Sequence, residues 1–539
     1  MEEVNKKNKS VTKKHAISRR NVLKALAGIP VLSVFGYELL KDISYSKSQI
    51  AKYNIIDKLG LEDAFSDVKQ VVQGPQGDTL RIGIIGYGSR GVFLLHALGY
   101  MHPEDYKGYK SEDNLPNLFD LNVAITGICD VFDLHAESGL EAAKFDILTE
   151  GAFAGNYIPK RYLQYQDMLA DKNIDAVVIA TPPHHHAQMT IDAIRAGKHV
   201  YCEKSLIRRA EEIYEVYDVV KNSNLTFQLG HQVCQNAAYQ QAKNVINKNV
   251  LGEISHIETS TNRNTPFGAW IRHIDSDGHL KPGNEKTIDW KQWLGTSPEV
   301  PFSIERYYDW SRFFDYDTGV IGQLFSHAYD AVNYLLDMGI PESVVASGGQ
   351  YFFKEIGEIP DVLNCVFEYP DRDFSLTYSA NLASSKKRKR MIYGKDAAME
   401  ISGSFRVYPS ANSLKYKELL EEGIIDPALP MIDSRKLNSG GEVDAVSSAT
   451  RRYYSSRGLT TTSIGGKKWS TTHLHIKEWI DAIRNGSTET SGNIERAFQE
   501  SITLSMADIS YREKCRVEWD PIERKIKKCS NENPSHSLD

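Results

Sequence analysis

The feature that most constrains this chain is a short apolar run, Leu80-Arg81-Ile82-Gly83-Ile84-Ile85, that stops at Gly86-Tyr87-Gly88-Ser89-Arg90-Gly91 and passes into a helical pattern near Val92. Alone, G-x-G-x-x-G is a weak signal; between a strand and a helix it has the context that dinucleotide binding requires. Gly86 permits the tight turn and Gly88 lets the backbone approach a pyrophosphate. Gly91 lets the helix pack closely on the strand, so that the amides around Ser89 and Arg90 face the phosphates. The same grammar continues. Val123 to Cys129 reads as a second strand ending at Asp130, and Asp175 to Ala180 as a third, followed by Thr181-Pro182-Pro183. A helix from Ala187 to Ala196 closes at Gly197, and His199 to Cys202 is a further strand. Strands alternating with helices predict an α/β fold that starts with a doubly wound parallel sheet, the Rossmann arrangement, over residues 79–205.

From Glu253 the pattern changes. Residues 253–262, 343–353, 361–369, 374–381 and 397–401 are strand-like, with few helices between them, which predicts a second α/β domain, 206–525, with an open and mostly antiparallel sheet. Residues 431–470, rich in Ser, Gly, Thr and Arg, read as a long surface loop. Leu474, Trp479 and Ile483 mark a closing helix, a longer one runs from about Ile494 to Lys514, and residues 526–539 form a tail.

The N-terminus has the order of a targeting segment: a basic stretch, the pair Arg19-Arg20, and an apolar run from Ala25 to about Tyr37. Residues 1–40 are therefore read as a twin-arginine signal or uncleaved anchor, and 41–78 as an extension. That export route carries folded proteins, which suits an enzyme loaded with a cofactor before it crosses to the periplasm. The anchor is the one membrane contact expected. Formal net charge is -6 over 539 residues, so composition gives no reason to expect nucleic acid as a partner. The basic run from Lys386 to Arg390 reads as a solvated turn between strands. Six scattered cysteines show no metal-ligand spacing, and Cys129, Cys202 and Cys365 fall in apolar runs as core residues.

Asp130, at the end of the second strand, is placed to accept the ribose hydroxyls of a dinucleotide and to repel a 2′-phosphate, which favours NAD. Its unusual distance from the glycine turn is accounted for by a polar insertion over residues 101–120. The segment Asp175-Ala176-Val177-Val178-Ile179-Ala180-Thr181-Pro182-Pro183-His184-His185-His186-Ala187, followed by Ala196-Gly197-Lys198-His199-Val200-Tyr201-Cys202-Glu203-Lys204, resembles the glucose-fructose oxidoreductase, inositol dehydrogenase and rhizopine catabolism family of sugar oxidoreductases. The likeness is specific over residues 80–205 and looser to about 520. It implies a Rossmann domain, an α/β domain whose open sheet carries the substrate face, and a homo-oligomer.

The resemblance also implies a site. Glu203 and Lys204 would lie beside the nicotinamide, with Thr181, Pro182 and His186 near the cofactor. His327 would be the active-site histidine; Asp330, three residues further along one helix face, is read from that spacing as orienting its ring. A lysine at the carboxyl end of a parallel strand points into the crevice where ligands bind, and burial would lower its pKa. Two positions depart from the family's pattern: Ser205 stands where proline is usual, and Gln323 where an aspartate often assists proton transfer. His231, Gln323, Tyr307 and Trp310 are candidate substrate contacts. Three consecutive histidines cannot converge on one ion, so no metal is expected; His184 and His185 are read as facing solvent. The activity implied is oxidation of a carbohydrate or polyol hydroxyl with a tightly held, recycled NAD. Alternatives are an NAD-dependent glycoside hydrolase working by oxidation, elimination and reduction, and a non-catalytic sugar-binding protein.

Overall fold

A computed structural model describes residues 55–65, 77–111, 115, 117–151, 157–264, 269–275, 277–354, 357–435, 461–464 and 467–529. The signal segment, most of the extension, the centre of the 431–470 stretch and the tail beyond 529 lie outside the described residues. Both large sheets lie in one compact unit that begins at Leu61.

Six strands form the parallel sheet: β1 (Leu80–Ile85), β2 (Val123–Cys129), β3 (Lys160–Tyr162), β4 (Ala176–Ile179), β5 (His199–Cys202) and β6 (Phe227–Leu229), in the order β3-β2-β1-β4-β5-β6. Apart from Arg81 and His199 near their starts, the central strands β1, β4 and β5 are apolar, and they are buried on both faces toward their carboxyl ends, as helices on each side require. Helix α1 (Ser89–Ala97) follows β1, and α2 (Pro183–Arg195) follows β4. α2 starts four residues earlier than the sequence reading placed it, because Pro183 occupies its first turn, where a missing N–H costs nothing. The parallel order brings the carboxyl ends of β1, β2, β4 and β5, hence Gly86, Asp130, Thr181 and Glu203, to one edge.

The sheet continues one strand past residue 205, and a helix from far along the chain completes its cover. Helix α4 (Thr471–Arg484) lays Ile476, Trp479 and Ile480 on a core built from Ile82, Ile84, Leu94, Ile125 and Tyr201. The Trp479 ring sits 5.7 Å from that of Tyr201 at a steep angle.

The second sheet has ten strands: β7 (Ile254–Asn262), β8 (Ser343–Gly349), β9 (Val362–Tyr369), β10 (Phe374–Asn381), β11 (Arg390–Gly394), β12 (Ala397–Ile401), β13 (Phe405–Pro409), β14 (Ile432–Asp433), β17 (Val517–Asp520) and β18 (Lys525–Lys528), in the order β14-β13-β12-β11-β7-β10-β9-β8-β17-β18. Every pairing is antiparallel except β7 with β10. Burial alternates with period two: Leu363, Cys365 and Phe367 face inward, while Asn364 and Val366 face out. Helix α5 (Ile494–Glu513) lies on this sheet against β8, helix α3 (Ser326–Leu336) packs on α5, and the ring of Phe325, just before α3, stacks on Phe367 at 4.7 Å. That anchor holds the start of α3, and with it His327, against the sheet.

The 431–470 stretch is not loop throughout. β14 joins the large sheet, and β15 (Thr461–Ile464) pairs with β16 (Lys467–Ser470) in a hairpin, where short Thr- and Lys-containing strands carry too little apolar alternation to be read from sequence. Cys129, Cys202, Cys234 and Cys365 are buried; Cys515 and Cys529 are partly exposed.

Trp479→Ala should destabilise the folded protein by about 3–5 kcal/mol, the usual cost of emptying a fully buried tryptophan site. Denaturant unfolding would measure it; a loss under 1 kcal/mol would mean that α4 does not brace the parallel sheet.

Candidate functional site

The glycine turn is shaped by contacts that allow no side chain. Gly86 has φ of +88°, and a Cβ there would lie 2.8 Å from the Ala180 carbonyl oxygen. A Cβ on Gly91 would lie 2.3 Å from the Gly86 carbonyl oxygen, so α1 can approach β1 this closely only with hydrogen at that position. Gly88 differs, since a Cβ there would meet nothing within 4 Å. It borders open space at the helix start, and α1 has no side-chain cap. Its first-turn amides are donors left for a ligand.

Asp130 locks the turn in place. Its Oδ2 accepts from the Tyr87 amide at 2.6 Å and its Oδ1 from the Phe132 amide at 2.8 Å. Burial raises its pKa against these stabilising bonds. A carboxylate has about four acceptor sites, so two amides leave capacity for ribose hydroxyls. His135 stands 3.8 Å away, and the Tyr307 hydroxyl lies 3.4 Å from the His135 ring.

These groups line a cleft of about 840 Å³ that runs from Asp130 past Gly88, Ser89 and Arg90 to Thr181, Pro182, Glu203, Lys204, Gln323 and His327. Arg90 reaches from the turn to Glu203, Nε to Oε1 at 2.8 Å, and Gln232 donates to the same oxygen at 3.0 Å. Lys204 donates from Nζ to Gln323 Oε1 at 2.9 Å and to the Gln323 carbonyl at 3.3 Å. Gln323 lies in a π-helical turn, Ile321–Phe325, that runs directly into α3 and presents both Gln323 and His327 to the cleft. Burial, the largest effect, lowers the Lys204 pKa to about 8 although Asp317 and Glu203 pull it upward.

Asp317 is a residue that the sequence reading missed. It is fully buried, and burial raises its pKa to about 7 despite the attraction of Lys204. Lying ten positions before His327 and outside any motif, it carried no periodic or spacing signal; only the fold brings it within the field of Lys204. His327 is half-buried on the cleft, and burial together with the nearby Lys204 and His231 charges holds its pKa well below the usual histidine range.

Several expectations are corrected. Asp330 does not orient His327: its Oδ1 takes Arg496 Nη2 at 2.6 Å, an ion pair between a buried carboxylate and a half-buried guanidinium. The ring beside His327 is that of His231, 5.5 Å away and perpendicular. His231 does not line the cleft; it is buried, with Nε2 2.6 Å from Glu500 Oε2. Burial alone would lower its pKa, but Glu500 and Asp330 raise it. His186 does not line the cleft either. Its Nδ1 and Nε2 lie 2.7 Å from the carbonyl oxygens of Ser205 and Thr181, so it pins the two cofactor-side loops from beneath. His184 is buried and His185 half-buried, both bonded to the Trp293 carbonyl, because α2 turns them toward the aromatic cluster instead of solvent. Tyr307 lines the cleft at the Asp130 end, where Phe132 and Trp293 pack on it; Trp310 also lines the cleft.

The arrangement is a crevice at the carboxyl edge of a doubly wound sheet, with an anion cradle at one end and a tuned amine at the other, the layout of a nucleotide-dependent oxidoreductase. Residues 80–231 match the description "Oxidoreductase family, NAD-binding Rossmann fold", and residues 235–351 match "Oxidoreductase family, C-terminal alpha/beta domain". The chain belongs to this family, that of glucose-fructose oxidoreductase, inositol dehydrogenase and the rhizopine catabolism proteins. It is 30% identical to levoglucosan dehydrogenase of Pseudarthrobacter phenanthrenivorans over 185 residues, 34% of this chain and 41% of that one. To a glycosyl hydrolase family 109 protein of a Shewanella species it is 28% identical over 186 residues, 34% of this chain and 36% of that one. The chain thus spans less than half the length of these relatives. A solved levoglucosan dehydrogenase, in complex with NADH and levoglucosan, shares the fold with a TM-score of 0.52 at 17% identity, over 82% of this chain and 99% of that one.

Gly91→Ala should weaken NAD binding at least about tenfold, since its methyl meets backbone and forces α1 off the turn. Calorimetric titration of NAD into wild type and variant checks this, and equal affinities would contradict the geometry.

Proposed function

We propose that this protein oxidises a hydroxyl of a carbohydrate or polyol with NAD held in the cleft. One observation carries the reading: the Lys204 amine, tuned to about 8, stands at the end of β5 in the same cleft as an uncapped glycine turn and a ribose-binding carboxylate. The residues present suit the cofactor. Gly88 and the α1 amides would hold the pyrophosphate, Asp130 the ribose, and Thr181, Pro182 and Glu203 would border the nicotinamide. When bound, NAD supplies the hydride acceptor.

The chain's own residues manage the proton. Neutral Lys204 accepts it from the substrate hydroxyl, and the Gln323 oxygen fixes the amine's direction before and after the transfer. Asp317, poised near neutrality behind Lys204, stabilises the ammonium that results. His327, neutral at ordinary pH, offers the hydroxyl a hydrogen bond and adds no charge to oppose the lysine.

The similarity to a glycosyl hydrolase family 109 protein favours a second reading, in which the same oxidation starts an elimination and the reduced cofactor returns the hydride, leaving NAD unchanged overall. Both readings share Lys204. Lys204→Met should cut kcat/KM roughly 10²–10⁴-fold. In the wild type, kcat/KM for oxidation should rise with pH through about 8 and then level, because only the neutral amine accepts a proton. A screen of free sugars and glycosides, followed by nicotinamide absorbance and product analysis, separates the two: NADH accumulation supports the dehydrogenase, and aglycone release without it supports the hydrolase. Full activity in Lys204→Met would remove both.

The residues Arg19-Arg20 and the apolar run after them support export through the twin-arginine route, with the cofactor loaded before passage and recycled in place. Replacing both arginines by lysine should retain the protein in the cytoplasm; unchanged fractionation would refute this. The broad outer face of the ten-stranded sheet, with Val345 and Val366 exposed side by side, supports a homo-oligomer, and a sedimenting monomer would oppose it.

A further inference from the structure

Along the cleft wall the charged side chains are matched, except for two cations, Arg272 and Lys281, which among the described residues touch no carboxylate. Arg90 is answered by Glu203, and Lys204 by Gln323 and the nearby Asp317. Arg272 also lines the cleft, half-buried, and among the described residues its guanidinium has no carboxylate in contact. The closest candidate is already committed. Asp309 accepts the Arg272 backbone amide at 2.6 Å and the His273 amide at 3.0 Å through Oδ1, and takes His273 Nδ1 at 2.5 Å through Oδ2. Asp309 therefore fixes the loop that carries Arg272 and attracts its head through space, but makes no contact with the guanidinium.

The head is held in place instead by an aromatic ring. The guanidinium lies over Trp310, 5.6 Å from the ring centroid, a contact that restrains its plane and uses none of its five N–H donors. Lys281, another cleft residue, adds a second positive charge within its field rather than a counter-charge. Arg272 lines the same cleft as Lys204, Gln323 and His327, and Asp317 attracts both Arg272 and Lys204. The anion cradle for the cofactor lies at the α1 start. A half-buried cation with its donors free and its ring support built is costly unless a ligand supplies the anion.

We propose that Arg272 receives a carboxylate of the substrate, so that this enzyme acts on an acidic sugar, a uronic or aldonic acid, rather than a neutral one. A planar carboxylate matches the guanidinium fork with two parallel hydrogen bonds. The inference rests on the oxidoreductase reading above and adds the substrate class.

The test uses the full protein. NAD is titrated first, and failure to bind would remove the reading underneath. With NAD saturating, D-glucuronate and D-galacturonate are compared calorimetrically with D-glucose and D-galactose. Wild type should bind the acid of at least one pair about tenfold more tightly than its neutral partner. Arg272→Gln should erase that preference without weakening NAD, and Arg272→Lys, keeping charge but losing the fork, should retain part of it. Thermal melts confirm that both variants fold. Acids that bind no better than their neutral partners, including the case in which neither binds, overturn the proposal. So does an Arg272→Gln variant that keeps the preference, or one whose only defect is in NAD affinity.

Discussion

The Asp130 carboxylate is the interaction on which the site's geometry depends. By taking the Tyr87 amide from the turn after β1 and the Phe132 amide from the turn after β2, it ties two strand ends into one rigid corner. That corner sets where the glycine turn stands and therefore where the first amides of α1 point. The close contact of Gly91 with the Gly86 carbonyl completes the constraint from the other side. An anion site built in this way uses backbone groups, which need no rearrangement when a charged ligand arrives.

At the opposite end the chemistry depends on withheld solvation. Lys204 and Asp317 are each pushed by burial toward their neutral forms and pulled back by each other. Their shifts converge toward neutrality, the range where a proton must move in both directions. Gln323 could not replace a carboxylate as a proton acceptor, and in this chain it does not have to. It holds the lysine in place while a carboxylate from a different position supplies the charge. The His231–Glu500 pair behind His327 extends the same buried polar layer without reaching the cleft.

Much of this was legible in the order of residues, for physical reasons that differ from element to element. β1, β2, β4 and β5 are mostly apolar runs that stop at Gly86, Asp130, Thr181-Pro182 and Glu203, so their ends could be read. β9 and β10 alternate with period two and were equally readable, whereas β11, β13 and the 461–470 hairpin are short and carry charged residues, and they pass for loop. The errors at the site share one cause. His186, His231 and Asp330 are polar residues beside the right motifs, and proximity in sequence does not say whether a side chain faces the cleft or a buried partner. Arg496, Glu500 and the Ser205 carbonyl, which decide those cases, lie on elements brought close only by the fold. Asp317 is the converse case, important in space and silent in sequence.

The central claim is that one cleft holds a dinucleotide stretched from the glycine turn to Lys204. Its most direct measurement is a crystal structure of the full protein grown with saturating NADH. The account predicts the pyrophosphate against Gly88 and the α1 start, ribose hydroxyls on Asp130, and the nicotinamide ring beside Lys204 and Glu203. A nucleotide bound elsewhere, one whose nicotinamide points away from Lys204, or an empty cleft at saturation would contradict it.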